Sequence, residues 1–245
     1  MAGDRLAETD PALGSFEFRV VPDGSTSRVV GSSGGVGVPV PPGFDAARAM
    51  TAPLLARALA VWSELGLELG QAAVVSGDGR FAALLSLVAL WRGALPSVLL
   101  GQGQGPAGVV VVSFRPDDPE GSLNALKMAI ATRPSAAFVD VSGRASVLDL
   151  LFDALPRYGR LMLAGRAGER TTIDYYNHWH RKGAVILARV IDPAADLAGS
   201  TPGPSGMHIA RAFGLLADDA RAAACLACWQ SDKDGSEVRS TSPSG

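Results

Sequence analysis

Four groups of residues have the types and spacing for chemistry. The first is Gly77-x-Gly79-x-x-Ala82, set between the apolar run Ala72–Ser76 and a helical pattern that begins at Arg80. The first glycine permits a tight turn, the second lets a diphosphate approach the backbone, and the small third residue lets helix and strand pack closely. The N-terminus of the following helix then faces the anion. Two features weaken the pattern. Asp78 puts a carboxylate where the diphosphate arrives, offset in part by Arg80, and the stretch Leu100-Gly101-Gln102-Gly103-Gln104 lacks the acid that holds ribose hydroxyls about 20 residues on. The same residues also read as a plain tight turn in an α/β core.

The second group is Tyr175-Tyr176-Asn177-His178-Trp179-His180. Histidines at i and i+2 share one face of an extended segment, and the aromatics beside them suit packing or a substrate or partner contact. A metal needs more ligands than two, and Asp174 is the carboxylate nearby. The third group is Cys225-Leu226-Ala227-Cys228. A redox pair opens a helix, where the dipole lowers a thiol pKa; this pair closes an Ala-rich one and reads as two small buried hydrophobes. The fourth is Asp117, Asp118 and Glu120 near Arg115, a solvated turn that caps a helix starting near Ser122. Three histidines and two thiols so placed offer no tetrahedral metal set, so no metal site is expected. No Ser/His/Asp spacing suggests a nucleophile elbow, and no catalytic residue is named.

The elements that position these groups alternate. Short strands are expected at Ala72–Ser76, Ser97–Leu100, Val109–Phe114, Ala136–Val141, Leu161–Ala164 and Ala184–Ile191. Helices are expected at Arg80–Arg92, Ser122–Thr132 and Ser146–Leu155. Val109–Phe114, β-branched for most of its length, reads as a strand buried on both faces. The pattern predicts an α/β fold, a Rossmann-type doubly wound parallel sheet of about six strands. Before it, residues 1–45 read as weak strands or extended segments outside a core, followed by a helix capped by Asp45. The dinucleotide-binding domain is expected to span 46–229, with a Gly/Pro/Ser linker over 196–206, one helix or two over His208–Trp229, and a disordered tail over 230–245.

Composition narrows the classes. The 245 residues are 47% hydrophobic with a formal net charge of −2, which excludes a disordered chain and a nucleic-acid binder that works by neutralising phosphates. The longest apolar run, Phe81–Trp91, is interrupted by Ser86 and is far short of the about 20 residues of a spanning helix, so no membrane partner is expected. The start MAGDRLAETD has no apolar region behind a basic one, and the expectation is a soluble, cytoplasmic protein.

A specific resemblance runs from about Gly14 to Asp219. Gly14-Ser15-Phe16-Glu17-Phe18, then Val38-Pro39-Val40-Pro41-Pro42-Gly43-Phe44, resembles the passage where medium-chain dehydrogenase/reductase (alcohol dehydrogenase-like) proteins leave their catalytic domain. Ala52-Pro53-Leu54-Leu55-Ala56-Arg57-Ala58-Leu59 resembles the next helix, and Gly77-x-Gly79-x-x-Ala82 the cofactor turn. Phe138-Val139-Asp140-Val141-Ser142-Gly143, Tyr158-Gly159-Arg160-Leu161-Met162-Leu163-Ala164-Gly165 and Lys182-Gly183-Ala184 resemble the family's later strand ends in order and spacing.

The resemblance implies NADPH or NADH lying across the carboxyl ends of the strands. Its diphosphate would rest over Gly77, Gly79, Arg80, Phe81 and Ala82, with Gln102 beside the ribose. The nicotinamide would sit near Val141, Ser142, Gly143, Ala164 and Gly165. Binding is expected to be weak, leaning to NADPH because no acid stands at the ribose.

The departures matter too. The family's catalytic domain would precede Gly14, so residues 1–45 are expected to be a remnant of it. Ala56 and Arg57 stand where a further zinc ligand can arise, and two cysteines cannot build the four-Cys lobe. The expected function is a zinc-independent oxidoreductase acting on a small molecule, or its cofactor-binding portion. A non-catalytic scaffold and an S-adenosylmethionine-dependent methyltransferase are the alternatives. In the resembling family the sixth strand pairs across a dimer axis, which implies a homodimer, or a complex with another subunit, through Ala184–Ile191.

Overall fold

The computed structural model describes residues 5–10, 14–23, 25–31, 37–102, 104–130, 135–165, 169–189 and 204–230. Alternating apolar residues near the start form β1 (Arg5–Asp10), β2 (Gly14–Asp23), β3 (Thr26–Gly31) and β4 (Val38–Val40), an antiparallel sheet in that order. Period-two alternation and the Val20–Val29 pairing put Phe18, Val20 and Val29 on one face. Phe18 and Val29 are fully buried in the cluster that contains the first helix. This corrects the expectation that the segment lies outside a core: its apolar residues, though few, fall on a single face.

Asp45 starts α1 (Ala46–Leu65) as expected, its Oδ1 accepting the Arg48 N–H at 2.8 Å, and Gly66 ends the helix at φ +68°. Trp62, fully buried on α1, donates Nε1–H to the Leu85 carbonyl at 2.9 Å.

The second sheet is parallel throughout. Its strands are β5 (Ala72–Ser76), β6 (Ser97–Gly101), β7 (Val110–Ser113), β8 (Ala136–Asp140), β9 (Arg160–Leu163) and β10 (Val185–Ala188), in the order β10-β9-β8-β5-β6-β7. Between them run α2 (Arg80–Trp91), α3 (Pro119–Ile130) and α4 (Ala145–Ala154); α5 (Pro204–Leu216) and α6 (Asp219–Gln230) follow. Ala73 and Val75 of β5 face α1, α2, α5 and α6, whereas Ala72 and Val74 face α3 and α4. Burial on both faces is why these strands read as unbroken apolar runs. The doubly wound parallel sheet matches the sequence reading.

β7 departs from it. This strand is an edge, and Val110 and Val111 are 44% and 37% exposed. The cause is the connection: residues 102–109 join β6 to β7, too few for the helical crossover of a dozen or more residues that normally covers such a pair. The C-terminal region forms two helices, and α5 starts inside the segment read as a linker. The linker's earlier part, the last residues of the expected sixth strand and the tail beyond Gln230, which itself ends α6, lie outside the described residues. No described helix is long and apolar enough to cross a membrane.

Candidate active site

β5 and β8 are neighbours whose connections leave on opposite sides of the sheet, so a crevice opens at their carboxyl ends. One wall is the turn between β5 and α2. Gly77 donates its N–H to the Leu100 carbonyl at 3.0 Å and has φ +150°; a Cβ there would stand 2.7 Å from Val141 Cγ2 and 3.3 Å from Ala82 Cβ. Turn, helix and opposite loop therefore touch through a glycine. Gly79 is the N-cap of α2 and makes no side-chain capping bond, and the first turn carries no acid. First-turn amides have no acceptor within their own helix, and the helix dipole adds positive potential there.

The other wall is organised by Asp140, whose side chain is buried at 2% exposure. Its Oδ1 accepts from Ser76 Oγ at 2.6 Å, Ser142 Oγ at 2.7 Å and the Ser142 N–H at 3.1 Å, and its Oδ2 accepts from the Gly143 N–H at 3.1 Å. Its carbonyl accepts from the N–H groups of Ala164 and Gly165 at 2.8 and 2.9 Å. A buried carboxylate is stable only with such partners. A Cβ on Gly165 would come within 2.7–2.9 Å of the backbone of Val141 and Gly143, so these segments are in close backbone contact.

Asp78 joins three segments. Its Oδ1 accepts the Gln102 N–H at 2.6 Å, and its Oδ2 pairs with Arg144 Nη2 at 2.9 Å, across the crevice from the loop after β8. The sequence sets Arg80 against Asp78; the structure adds the ion pair to Arg144, which local spacing does not announce. At the start of α4, Glu169 Oε2 accepts the Ala145 N–H at 2.9 Å.

The structure thus brings Gly77, Gly79, Arg80, Ala82, Gln102, Val141, Ser142, Gly143, Ala164 and Gly165 to one end of the sheet. Phe81 is fully buried and presents no side chain to the crevice. The N–H groups of Ser142, Gly143, Ala164 and Gly165 are already engaged by Asp140, which makes these residues a frame more than a set of ligand donors. Asp140 and Arg144 are absent from the sequence-derived set. An acid ending a buried strand three residues before Gly143 was a legible signal for Asp140; nothing local marks Arg144.

The other groups stand apart. Tyr175–His180 is a π-helical turn, not the extended segment expected, so the two histidines do not share a face. His178 stacks on Phe152 at 5.5 Å and reaches Asp153 at 3.4 Å, while His180 lies against the rings of Tyr175 and Tyr176. Among the described residues no three His, Cys, Asp or Glu side chains gather as a metal site. Cys225 and Cys228 are buried on α6. Asp118 caps α3 through the Gly121 N–H at 2.9 Å, a turn earlier than the helix start expected near Ser122. A cavity of about 420 Å³ lies behind α2, between Leu87, Trp91, Pro106, Ala224 and Cys228, away from the crevice.

The same architecture occurs in solved dehydrogenases. Galactitol-1-phosphate dehydrogenase from Escherichia coli is similar with a TM-score of 0.61 at 14% identity, over 83% of this chain and 67% of that one. Alcohol dehydrogenase TADH from Thermus sp. ATN1 gives 0.56 at 15% identity, over 75% and 50%. This chain has the alcohol dehydrogenase-like fold. A zinc-binding dehydrogenase from Sinorhizobium meliloti 1021, solved with NADP bound, gives 0.55 at 14% identity, over 76% and 54%. The chain spans about half the length of several of these structures. The sequence matches no protein-family model and no curated protein. The resemblance read from the sequence and the alcohol dehydrogenase-like fold agree.

Proposed function

We propose that the chain is a zinc-independent, NAD(P)-dependent oxidoreductase of alcohol dehydrogenase-like type, or the cofactor-binding portion of one. The observation that carries this is the Gly77–Gly79 turn at the switch point, leading into α2 with Gly79 as its N-cap. The residues present fit a dinucleotide: glycines where a backbone must approach phosphate, and an Arg144 guanidinium beside them. A bound nicotinamide cofactor supplies the hydride. The chain's own part is to hold the diphosphate at Gly77, Gly79 and Arg80, and to keep the floor of the crevice rigid through Asp140. Zinc independence is supported by the divergent His178 and His180 and by thiols that burial keeps protonated. Elemental analysis is expected to find no stoichiometric zinc in the purified protein.

One observation favours a second reading, a dehydrogenase-like module without chemistry: the Asp78–Arg144 pair spans the crevice that a cofactor would cross. Titration with NADH and NADPH, followed by cofactor fluorescence, separates the two. Saturable binding supports the oxidoreductase; its absence at millimolar cofactor supports the scaffold. Turnover is then assayed with simple alcohols and aldehydes.

The reading extends to assembly. Among the described residues β10 is an edge of the sheet with Val185 about half exposed, a liability unless covered. We propose that it pairs with a second copy or another subunit. Light scattering that shows a monomer at high concentration would exclude the homodimer.

A further inference from the structure

We propose that Asp78 is the ribose-binding acid of this site, delivered from the glycine turn instead of from the end of the second strand, and that it selects NADH over NADPH. The inference rests on the cofactor reading above and deepens it.

In dinucleotide folds a carboxylate about 20 residues beyond the turn, at the end of the second strand, accepts hydrogen bonds from the ribose hydroxyls; an arginine nearby accommodates a 2′-phosphate. Here that strand is β6, and it ends at Gly101. No side chain fits at Gly101. A Cβ there would overlap the Gly77 carbonyl oxygen and stand 2.8 Å from Asp78 Oδ1. The space in which the usual acid would begin is already occupied by a carboxylate from elsewhere.

That carboxylate is held in place. Oδ1 takes the Gln102 N–H at 2.6 Å, and Gln102 is itself fixed by Nε2 donating to the Phe114 carbonyl at 2.9 Å. Oδ2 takes Arg144 at 2.9 Å, and the Asp78 side chain remains 24% exposed. A carboxylate offers about four acceptor positions. The two contacts leave capacity for a pair of ribose hydroxyls.

Arg144 approaches from the loop after β8, on the far side of β5 from β6. Its charge therefore serves the diphosphate side of Asp78 and neutralises the carboxylate that the sequence set against the phosphates. A 2′-phosphate would instead be brought directly against Asp78. This reverses the lean toward NADPH, which considered only residues at the end of β6.

The test is calorimetric titration of the whole chain with NADH and with NADPH, before and after Asp78→Asn. Wild-type protein is expected to bind NADH at least about tenfold more tightly, the scale of one charge-assisted hydrogen bond. Asn keeps an acceptor oxygen for the Gln102 N–H but loses the charge. It is expected to weaken NADH about tenfold and to leave NADPH unweakened, so that the preference vanishes. Equal binding by the wild type, a preference for NADPH, or equal weakening of both cofactors in Asp78→Asn overturns the inference. Should the variant not fold, the wild-type preference still decides. Failure of the wild type to bind either cofactor sinks the cofactor reading itself, and is distinguishable from binding without preference.

Discussion

Ser76 Oγ stands 2.6 Å from Asp140 Oδ1, tying the carboxyl ends of two adjacent parallel strands at the floor of the crevice. Asp140 alone accepts from that hydroxyl, from Ser142 and from the Gly143 N–H. Asp140→Ala strands these donors, of which the Ser76 hydroxyl and the Gly143 N–H are buried. Each costs about 1–3 kcal/mol, and a total loss of about 3–5 kcal/mol is expected in urea denaturation. Ser76→Ala, which removes one donor and leaves Asp140 its others, should cost about 1 kcal/mol.

Two glycines should respond to alanine with opposite signs. At Gly165 the new methyl would meet the backbone of Val141 and Gly143 at 2.7–2.9 Å, and backbone cannot step aside as a side chain can. Gly165→Ala is expected to destabilise by about 2 kcal/mol or more. At Gly214, exposed within α5, an added methyl would meet nothing within 4 Å. Gly214→Ala should stabilise by about 0.5–1 kcal/mol, because it removes backbone freedom from the unfolded chain. Thermal melts of both variants check the pair.

Burial pushes the Cys225 thiol up to about 12, with the neighbouring Cys228 adding to it, and pushes Cys228 up to about 11. Unfolded thiols ionise near about 8.5. The stability gained by keeping these thiols neutral is complete below that value and is lost as pH rises through about 11 to 12. Two outcomes are expected. Native protein at pH 8 should resist iodoacetamide until it is unfolded. Above about pH 9, wild-type stability should fall more steeply than that of a Cys225→Ala/Cys228→Ala double variant.

Arg144→Gln tests the other partner of Asp78. If Arg144 serves the diphosphate, which both cofactors share, its removal should weaken NADH and NADPH by the same factor, about tenfold. A change in their ratio would place the guanidinium at the ribose instead. Fluorescence titration with both cofactors reads the difference.

How much was legible depends on how far apart the interacting residues lie. Asp45 capping α1, Asp118 capping α3 and the β5 boundaries are local matters, decided within a few residues. The glycine turn was legible as a strand-to-helix turn because its geometry resides in six consecutive positions. β7 misled because β-branched composition reports fitness for a strand, whereas exposure depends on a helix that residues 102–109 are too short to form. His178 and His180 misled because a π-helical turn separates residues that an extended segment would align. The Asp78 contacts with Gln102 and Arg144 arise from strand order, which brings three distant loops to one point. No periodicity announces such a meeting.

The short link between β6 and β7 also bears on the order in which the sheet is expected to assemble. Val98 pairs with Val110, 12 positions along, whereas Ala72 pairs with Ala136, 64 positions along. Closing the longer loop costs roughly 1.5 kcal/mol more in chain entropy. The β6–β7 ribbon is therefore the cheaper contact to nucleate, and the junction of β5 with β8 waits for α3 and β8 to arrive. Loop entropy alone thus predicts that the crevice closes late, its two walls meeting only when the parallel pairing of greatest sequence separation in the sheet forms.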